Sequence, residues 1–242
     1  MDSKGALLAK RHLEHHTVDA GSTLREFILG CQDGVVNVAG IALGVAIGTG
    51  NPSIVILAGL AATFAESISM AAVAYTSSKA ASDFYDEQYA QEVREVNETP
   101  DIERDEIREL YQKKGFSGKL LDQVVETITA DQKVWVQTMM EEELKLSREA
   151  HNPVTQGIIV GVAAIVGSFV PLIPFFLIPS ISIQQAMIAS VVLVALGLFA
   201  LGAYKGHMTK QSILKSGLEI AVIGLIAAGA GFLVGAYLGV PT

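Results

Sequence analysis

Residues 26–48 read EFILGCQDGVVNVAGIALGVAIG, an almost uninterrupted apolar stretch. A helix of about 20 apolar residues crosses the roughly 30 Å hydrocarbon core of a bilayer. The stretch therefore predicts a membrane-spanning helix. It decides the fold class, because four more segments of the chain repeat its character.

Composition supports a membrane protein with a separate polar part. Half of the 242 residues are hydrophobic, yet the formal net charge is −8. Both facts hold together if apolar and acidic residues are segregated along the chain. We predict an all-α integral membrane protein with five transmembrane helices, the other four lying at about 53–78, 154–177, 184–205 and 217–239.

A single acidic segment interrupts the apolar ones. Eighteen of the 25 carboxylates lie between Asp83 and Glu149, together with only nine Lys and Arg. This segment predicts a helical insert between the second and third spans. The expected domains are a polar N-terminal segment at 1–25, two spans at 26–78, the insert at 79–152 and three spans at 153–242.

The basic residues near the spans indicate how the chain is oriented. They precede the first span, follow the second, and lie between the fourth and fifth, whereas the two remaining loops carry no Lys or Arg. The positive-inside rule then predicts a cytoplasmic N-terminus, a cytoplasmic insert and an external C-terminus. The residues concerned are Lys4, Lys10, Arg11, Arg25, Lys79, Lys205, Lys210 and Lys215.

Small residues recur four positions apart in the first and fifth spans, which lets helix backbones approach closely. Such stripes are consistent with packing inside one chain or with the seam of a homodimer. Five helices are few to enclose a pore, and this favours a homodimer whose spans line one path. The stripes are Gly30 and Gly34, then Gly40, Gly44 and Gly48, and finally Gly231, Gly235 and Gly239.

Prolines mark the end of the third span. Because proline cannot continue a helix, the chain is expected to break or kink there at Pro171, Pro174 and Pro179.

Polar groups inside the first two spans indicate a transport pathway. Asp33 lies about eight residues, or about 12 Å, into the first span, and Asn37 follows one turn later. Glu66 and Met70 stand one turn apart on the second span at a similar depth. Intramembrane carboxylates are costly and mark ion or proton routes, and a thioether favours softer first-row metals. Because a carboxylate loses its proton to bind a divalent cation, the site suits metal/proton exchange.

The insert is expected to continue the second span to about Val96 and then form helices at about 100–114, 117–130 and 131–149. Thr99 with Pro100, Ser117 and Asp131 are the predicted helix starts. Three groups are spaced to share a helix face: Glu92 with Glu95, Glu103 with Glu106, and Met139 and Met140 with Glu143. The alternatives are a metal-binding domain or a solvated acidic surface. His151 is the insert's only histidine, which argues against a ferritin-like di-iron centre.

Several classes of protein are not supported. The chain has no Walker loop, nucleophile elbow or zinc-protease motif, so we expect neither an enzyme nor ATP-driven transport. Its single cysteine, Cys31, cannot form an intramolecular disulfide. We expect no prosthetic group and no nucleic-acid partner; the expected partners are membrane lipid, divalent metal ions, protons and a second copy of the chain.

Five segments together resemble the vacuolar iron transporter family: LREFILGCQDGVVNVAGIALGVA, AESISMAAVAYTSSKAASDFY, WVQTMMEEELKL, VPLIPFF and YKGHMTKQSILKSG. The resemblance covers almost the whole chain. It implies a dimeric five-span ferrous iron/proton antiporter with a cytoplasmic metal-binding domain after the second span. It also implies pathway roles for Asp33 and Met70, and metal-binding roles for Glu92, Glu95, Glu103, Glu106, Met139, Met140 and Glu143.

One position departs from the family pattern. Plant-type members carry a Glu eight residues before the Met70 position, where this chain has Ala62, while Glu66 stands one turn nearer the cytoplasm. Glu66 is the candidate replacement.

The expected function is transport of Fe²⁺ out of the cytosol in exchange for protons. Mn²⁺ and other divalent transition metals are alternative substrates. A membrane-anchored metal store or sensor without transport is the alternative. The membrane is the cell membrane in a prokaryote and the vacuolar membrane in a eukaryote. His12, His15 and His16 are open to metal binding or to an ordinary solvated helix.

Overall fold

The computed structural model describes residues 3–148, 152–178 and 180–238, with side chains from Gly21 onward except that of Ser22. Every regular element in these ranges is helical, which confirms the predicted all-α class. The elements are α1 (Ser3–Thr49), α2 (Pro52–Glu98), α3 (Pro100–Lys113), α4 (Gly118–Thr129), α5 (Gln132–Thr138), a π-helical turn (Met139–Glu143), α6 (Pro153–Leu172), a 3₁₀ turn (Ile173–Leu177), α7 (Ile183–Met208) and α8 (Ile213–Leu238).

The chain divides into two compact units. The membrane unit comprises residues 1–76 and 153–242, and the insert unit comprises Ser77–Asn152. Five helices are long and apolar enough to span a bilayer, as predicted. They are Thr23–Thr49, Pro52–Glu98, Pro153–Leu177, Ile183–Met208 and Ile213–Leu238.

Large apolar side chains cover the outer surface of the membrane unit. Leu57 is 70% exposed, Ile68 and Ile226 are each 69% exposed, and Leu196 is 60% exposed. A soluble monomer rarely exposes contiguous apolar surface on this scale, whereas lipid tails solvate it without penalty. The same residues that would aggregate the chain in water therefore hold it in a membrane.

Helix α2 continues without a break from the membrane unit into the insert unit. Its 47 residues correspond to about 70 Å at 1.5 Å per residue, more than twice the thickness of the hydrocarbon core. Only its first part can lie in the bilayer. The sequence predicted this extension but ended it near Val96, two residues before the observed end at Glu98.

Helix α1 lies at the centre of the membrane unit, packed against α6 and α8. Its glycines explain the close approach. A Cβ atom on Gly34 would lie 2.3 Å from the carbonyl oxygen of Ala164, and one on Gly44 would lie 2.7 Å from that of Gly231. In this structure the glycine stripes of the first and fifth spans therefore meet each other or α6 within one chain. The alternative of a homodimer seam is not needed for them, and Gly239 lies outside the described residues.

The end of the third span breaks as its prolines predict. Pro171 lies inside the last turn of α6, where its carbonyl oxygen accepts a 2.8 Å hydrogen bond from the Ser190 hydroxyl. Pro174 lies in the 3₁₀ turn that follows. The third proline, Pro179, lies outside the described residues.

The insert unit has a core of its own. Trp135, Met139 and Met140 pack there with Ile107 and Val125, and all five are at most 4% exposed. The predicted helix starts are confirmed: α3 begins at Pro100, α4 follows Ser117, and α5 follows Asp131. The Asp131 carboxylate accepts hydrogen bonds from the backbone N–H groups of Lys133 and Val134, as expected of an N-cap.

The prediction of one helix over residues 131–149 is wrong. Helix α5 ends at Thr138, the π-helical turn Met139–Glu143 follows, and Lys145 then adopts the left-handed conformation with φ 57°. The wider π turn, closed by i→i+5 bonds, allows the adjacent Met139 and Met140 to be fully buried in one core. Packing has overridden a local pattern that favoured a continuous α-helix.

Candidate metal sites

The polar residues of the first two spans meet in the membrane unit. The Asn37 side-chain amide on α1 donates a hydrogen bond to Glu66 Oε1 on α2, at 2.5 Å. Asp33 stands one turn before Asn37 on α1, and its carboxyl group is close enough to interact electrostatically with that of Glu66. Two neighbouring carboxyl groups can hold a proton or a cation between them. The structure therefore brings Asp33, Asn37 and Glu66 together at one place.

This polar group is open on one side. Asn37 is exposed, and Asp33 and Glu66 are half-buried. Lipid tails offer no hydrogen-bonding partners, so polar side chains at this depth normally face a protein surface or an aqueous path. The exposed side of the group is thus the side from which an ion or a second protein surface would reach it.

Met70 and Ala62 flank Glu66 by one helical turn in each direction. Met70 is half-buried and lies on the same face of α2 as Glu66. Ala62 packs against an apolar cluster that includes Val38, Val55 and Leu172. A carboxylate at position 62 would enter apolar surroundings, whereas Glu66 has Asn37 as a donor. The local packing is consistent with the acid standing one turn away from the family position.

A second group of carboxylates lies in the insert unit. Glu92, Glu95 and Glu103 each place one carboxylate oxygen within 4.8 Å of the other two. Oxygen ligands bind first-row divalent metals at about 2.0–2.2 Å, so two ligands of one ion lie up to about 4.4 Å apart. The trio is close to that spacing and could hold a single divalent cation after small side-chain movements.

Burial makes this trio unusual. Glu92 and Glu103 are each only 5% exposed, and the Oε2 atom of each is buried without a hydrogen-bond partner in the described part of the chain. A buried carboxylate oxygen without a partner is costly unless it is protonated or binds a cation. Gln91, which the sequence analysis did not single out, donates a 3.0 Å hydrogen bond to Glu95 Oε1.

Two more carboxylates complete what we call the acidic cluster: Glu92, Glu95, Glu103, Glu106 and Glu143. Burial, followed by the charges of Glu106, Glu95 and Glu143, raises the pKa of Glu103 to about 7. Burial, followed by Glu106 and Glu95, also raises the pKa of Glu143, although Lys113 opposes the shift. These mutual effects show that the helices α2, α3 and the π turn bring their carboxylates into one electrostatic environment.

Most basic residues of the insert unit pair with carboxylates outside the acidic cluster. Within the described ranges, no member of the acidic cluster forms an ion pair. Like charges on one surface repel, and among the described residues no base pairs with them directly, although the charge of Lys113 acts on Glu143. The observed ion pairs are Lys79–Asp83, Arg94–Glu87, Arg108–Asp122, Lys113–Glu109, Lys114–Glu142, Lys145–Glu142 and Arg148–Asp86.

The two methionines of the predicted site differ in burial from the carboxylate predicted to act with them. Met139 and Met140 are fully buried, whereas Glu143 at the end of the same turn is exposed. Ordinary core methionines are buried in the same way. Their role as sulfur ligands stays a prediction. The side chains of His12, His15 and His16 lie outside the described residues.

Five helices long and apolar enough to cross a bilayer define the class of protein: a multi-pass integral membrane protein. The sequence comparisons agree. The model of the VIT family matches residues 24–236. This chain belongs to the VIT family, as the resemblance had indicated, and its members are membrane transporters and not enzymes.

Relatives match over nearly the full length of the chain. Vacuolar iron transporter 1 of Arabidopsis thaliana is 33% identical over 224 residues, covering 91% of this chain and 89% of the relative. The vacuolar iron transporter of Centaurea cyanus is 32% identical, with 93% and 91% coverage. Vacuolar iron transporter 2 of Oryza sativa subsp. japonica is 31% identical, with 96% and 93% coverage. Membership of the family supports metal-ion transport across a membrane as the activity of this chain.

Proposed function

We propose that the chain transports Fe²⁺ out of the cytosol in exchange for protons, with the insert unit capturing the metal. The observation that carries the proposal is the acidic cluster, whose five carboxylates have no basic partner among the described residues. A divalent cation would supply the missing positive charge. The names of the relatives, which are iron transporters, support iron as the cargo.

The membrane unit would supply the exchange step. Asp33 and Glu66 lie close enough to share either a proton or a metal ion, and Asn37 holds Glu66 in place. A carboxylate that binds Fe²⁺ must be deprotonated, so metal entry and proton release are coupled at such a pair. Met70, one turn from Glu66, would add a softer ligand that disfavours Mg²⁺ and Ca²⁺.

The exposed polar face of the first two spans supports a homodimer. Asn37 is exposed within one chain, and its amide would meet lipid unless another surface covers it. A second copy placed on this face would create a path lined by both chains. The names of the relatives favour a vacuolar membrane, and a cell membrane is the alternative in a prokaryote.

Flux measurement tests the proposal directly. The full chain is reconstituted in liposomes, and Fe²⁺ flux is measured under an imposed pH gradient for the native chain, Asp33→Asn and Glu66→Gln. Asp83→Asn is the matched control, because this exposed carboxylate is paired with Lys79. We expect proton-dependent flux that both membrane variants abolish and the control retains.

Other outcomes would support one of the two alternative functions. Equal competition by Mn²⁺ would indicate a broader divalent-cation transporter. Native protein that binds Fe²⁺ but gives no flux under either gradient direction would overturn the proposal and leave the metal store or sensor.

A further inference from the structure

A cavity in the membrane unit shares one residue, Asp33, with the polar group of the first two spans. It has a volume of about 670 Å³ and lies where α1, α7 and α8 meet. Arg25 and Lys205 line it at one end, and it follows α1 to Val36 and α8 to Ala227. The lining residues of α1 run from Gly21 to Val36, 15 residues apart, so the cavity extends about 22 Å along the helix. Its lining is charged near Arg25 and Lys205 and mainly apolar beyond them, apart from Gln32 and Asp33.

The charged end would lie at the level of lipid headgroups. Arg25 precedes the apolar part of the first span, and Lys205 lies near the end of α7. The positive-inside rule assigns this end to the cytoplasmic leaflet, where anionic lipids attract basic residues.

The ion pair at the opening leaves the positive charge of Arg25 for an anion. Glu219 lies 3.7 Å from Lys205 and pairs with it. Arg25 forms no ion pair with any residue that the structure describes. A guanidinium group at a membrane surface binds phosphate oxygens well, because its donors match them in geometry. Arg25 is therefore available to a phosphate group from outside the chain.

The remainder of the cavity favours acyl chains. Below the opening the lining consists mainly of apolar side chains, including Ile28, Val36, Ile220 and Ile223. A hydrated metal ion entering here would meet Arg25 and Lys205 at the opening and then mostly apolar side chains, with Gln32 and Asp33 as the polar exceptions. Asn37 and Glu66 do not line it, so of the polar group only Asp33 reaches this side of α1.

We propose that this cavity binds one anionic phospholipid, with its phosphate at Arg25 and an acyl chain along α1 and α8. Asp33 also lines the cavity. The bound acyl chain would exclude water from that side of Asp33 and leave the side facing Glu66 for ions. The binding site itself does not depend on the proposed iron transport.

Native mass spectrometry of the full chain in neutral detergent tests the site. Phosphatidylglycerol and phosphatidylcholine with identical acyl chains are titrated against the native chain, Arg25→Gln and Lys210→Gln. Lys210 lies in the same basic region but does not line the cavity, so its variant controls for general surface charge. We expect one tightly bound phosphatidylglycerol, weakened about fivefold by Arg25→Gln and little changed by Lys210→Gln.

A second pair of variants tests the acyl part without changing charge. Ala227→Phe would fill the cavity, whereas Ala230→Phe places the same side chain on an exposed position of α8 outside it. Only the first should weaken phosphatidylglycerol binding. Both proteins must elute as single species, which shows that neither has misfolded.

Four results would overturn the proposal. They are equal binding of the two lipids, equal effects of Arg25→Gln and Lys210→Gln, competition by glycerol phosphate alone at the same concentration, and equal effects of the two phenylalanine variants. The third would indicate a free phosphate site. A change in the monomer–dimer ratio with Ala227→Phe, without loss of lipid, would instead identify a second copy of the chain as the occupant.

Discussion

The Asn37 amide on α1 donates a hydrogen bond to the Glu66 carboxyl group on α2 and so joins the first two spans through polar groups. Asp33, one turn before Asn37, reaches the same carboxyl group. Asn37 does not carry a charge and cannot exchange a proton. Its contribution is to fix Glu66 opposite Asp33.

This arrangement predicts that Asn37 acts through Glu66. Asn37→Ala should slow Fe²⁺ flux about tenfold, because a hydrogen bond to a charged group contributes about 1.5–3 kcal/mol. Combined with Glu66→Asp, which keeps the carboxylate but shortens it away from the amide, it should add no further loss. Liposome flux assays on the two single variants and the double variant measure this coupling. Independent, multiplicative losses would contradict the positioning role.

The acidic cluster predicts opposite effects on binding and stability. Glu103→Gln removes a buried, repelled carboxylate, so it should weaken Mn²⁺ binding at least tenfold while stabilising the metal-free insert at pH 8. Glu126→Gln, on the exposed face of α4, is the matched control and should change neither. Quenching of Trp135, the chain's one tryptophan, reports metal binding in the insert core.

A solvated acidic surface would respond differently. In that case Glu103→Gln and Glu126→Gln would behave alike in both measurements. A loss of metal binding accompanied by a loss of stability would indicate a structural role for Glu103 and not a ligand role.

The raised pKa of Glu103 predicts a pH-dependent stability of the metal-free insert. Its folded-state pKa is about 7, compared with an ordinary value of 4.5. Below about pH 4.5 the group is protonated in both states, and the stability it contributes is complete. As the pH rises through about 7 the folded state must lose the proton that it favours, and that contribution is lost.

Urea unfolding followed by Trp135 fluorescence measures this effect in the purified chain. The free energy of unfolding of the insert should be higher at pH 5.5 than at pH 8, and saturating Mn²⁺ should restore it at pH 8. Glu103→Gln should reduce the difference between the two pH values. A higher stability at pH 8 without metal would contradict the prediction.

Much of the membrane unit could be predicted from the sequence, because length and hydropathy decide which segments span a bilayer. Asp33 and Glu66 were recognisable for the same reason, since a carboxylate inside an apolar helix is costly. The bond from Asn37 to Glu66 could not be predicted, because it depends on how α1 and α2 are rotated against each other.

The insert was predictable in its helix starts but not in its interior. Thr99, Ser117 and Asp131 carry local signals for helix starts. The π turn at Met139–Glu143 has no such signal, since it follows from packing in the core. The spacing of Glu92 and Glu95 predicted a shared face, but the burial of Glu92 beside Glu103 depends on contacts between α2 and α3.

The contact between α1 and α8 predicts a large effect at one glycine and none at its neighbour. A Cβ on Gly231 would lie 2.6 Å from the backbone of Gly40, whereas one on Gly229 meets nothing within 4 Å. Gly231→Ala must separate the helices and should destabilise the membrane unit by about 1–3 kcal/mol. Gly229→Ala should be neutral or stabilising, because alanine favours a helix by about 1 kcal/mol over glycine. Thermal unfolding in detergent compares the two variants, and equal midpoints would show that α1 and α8 do not approach this closely.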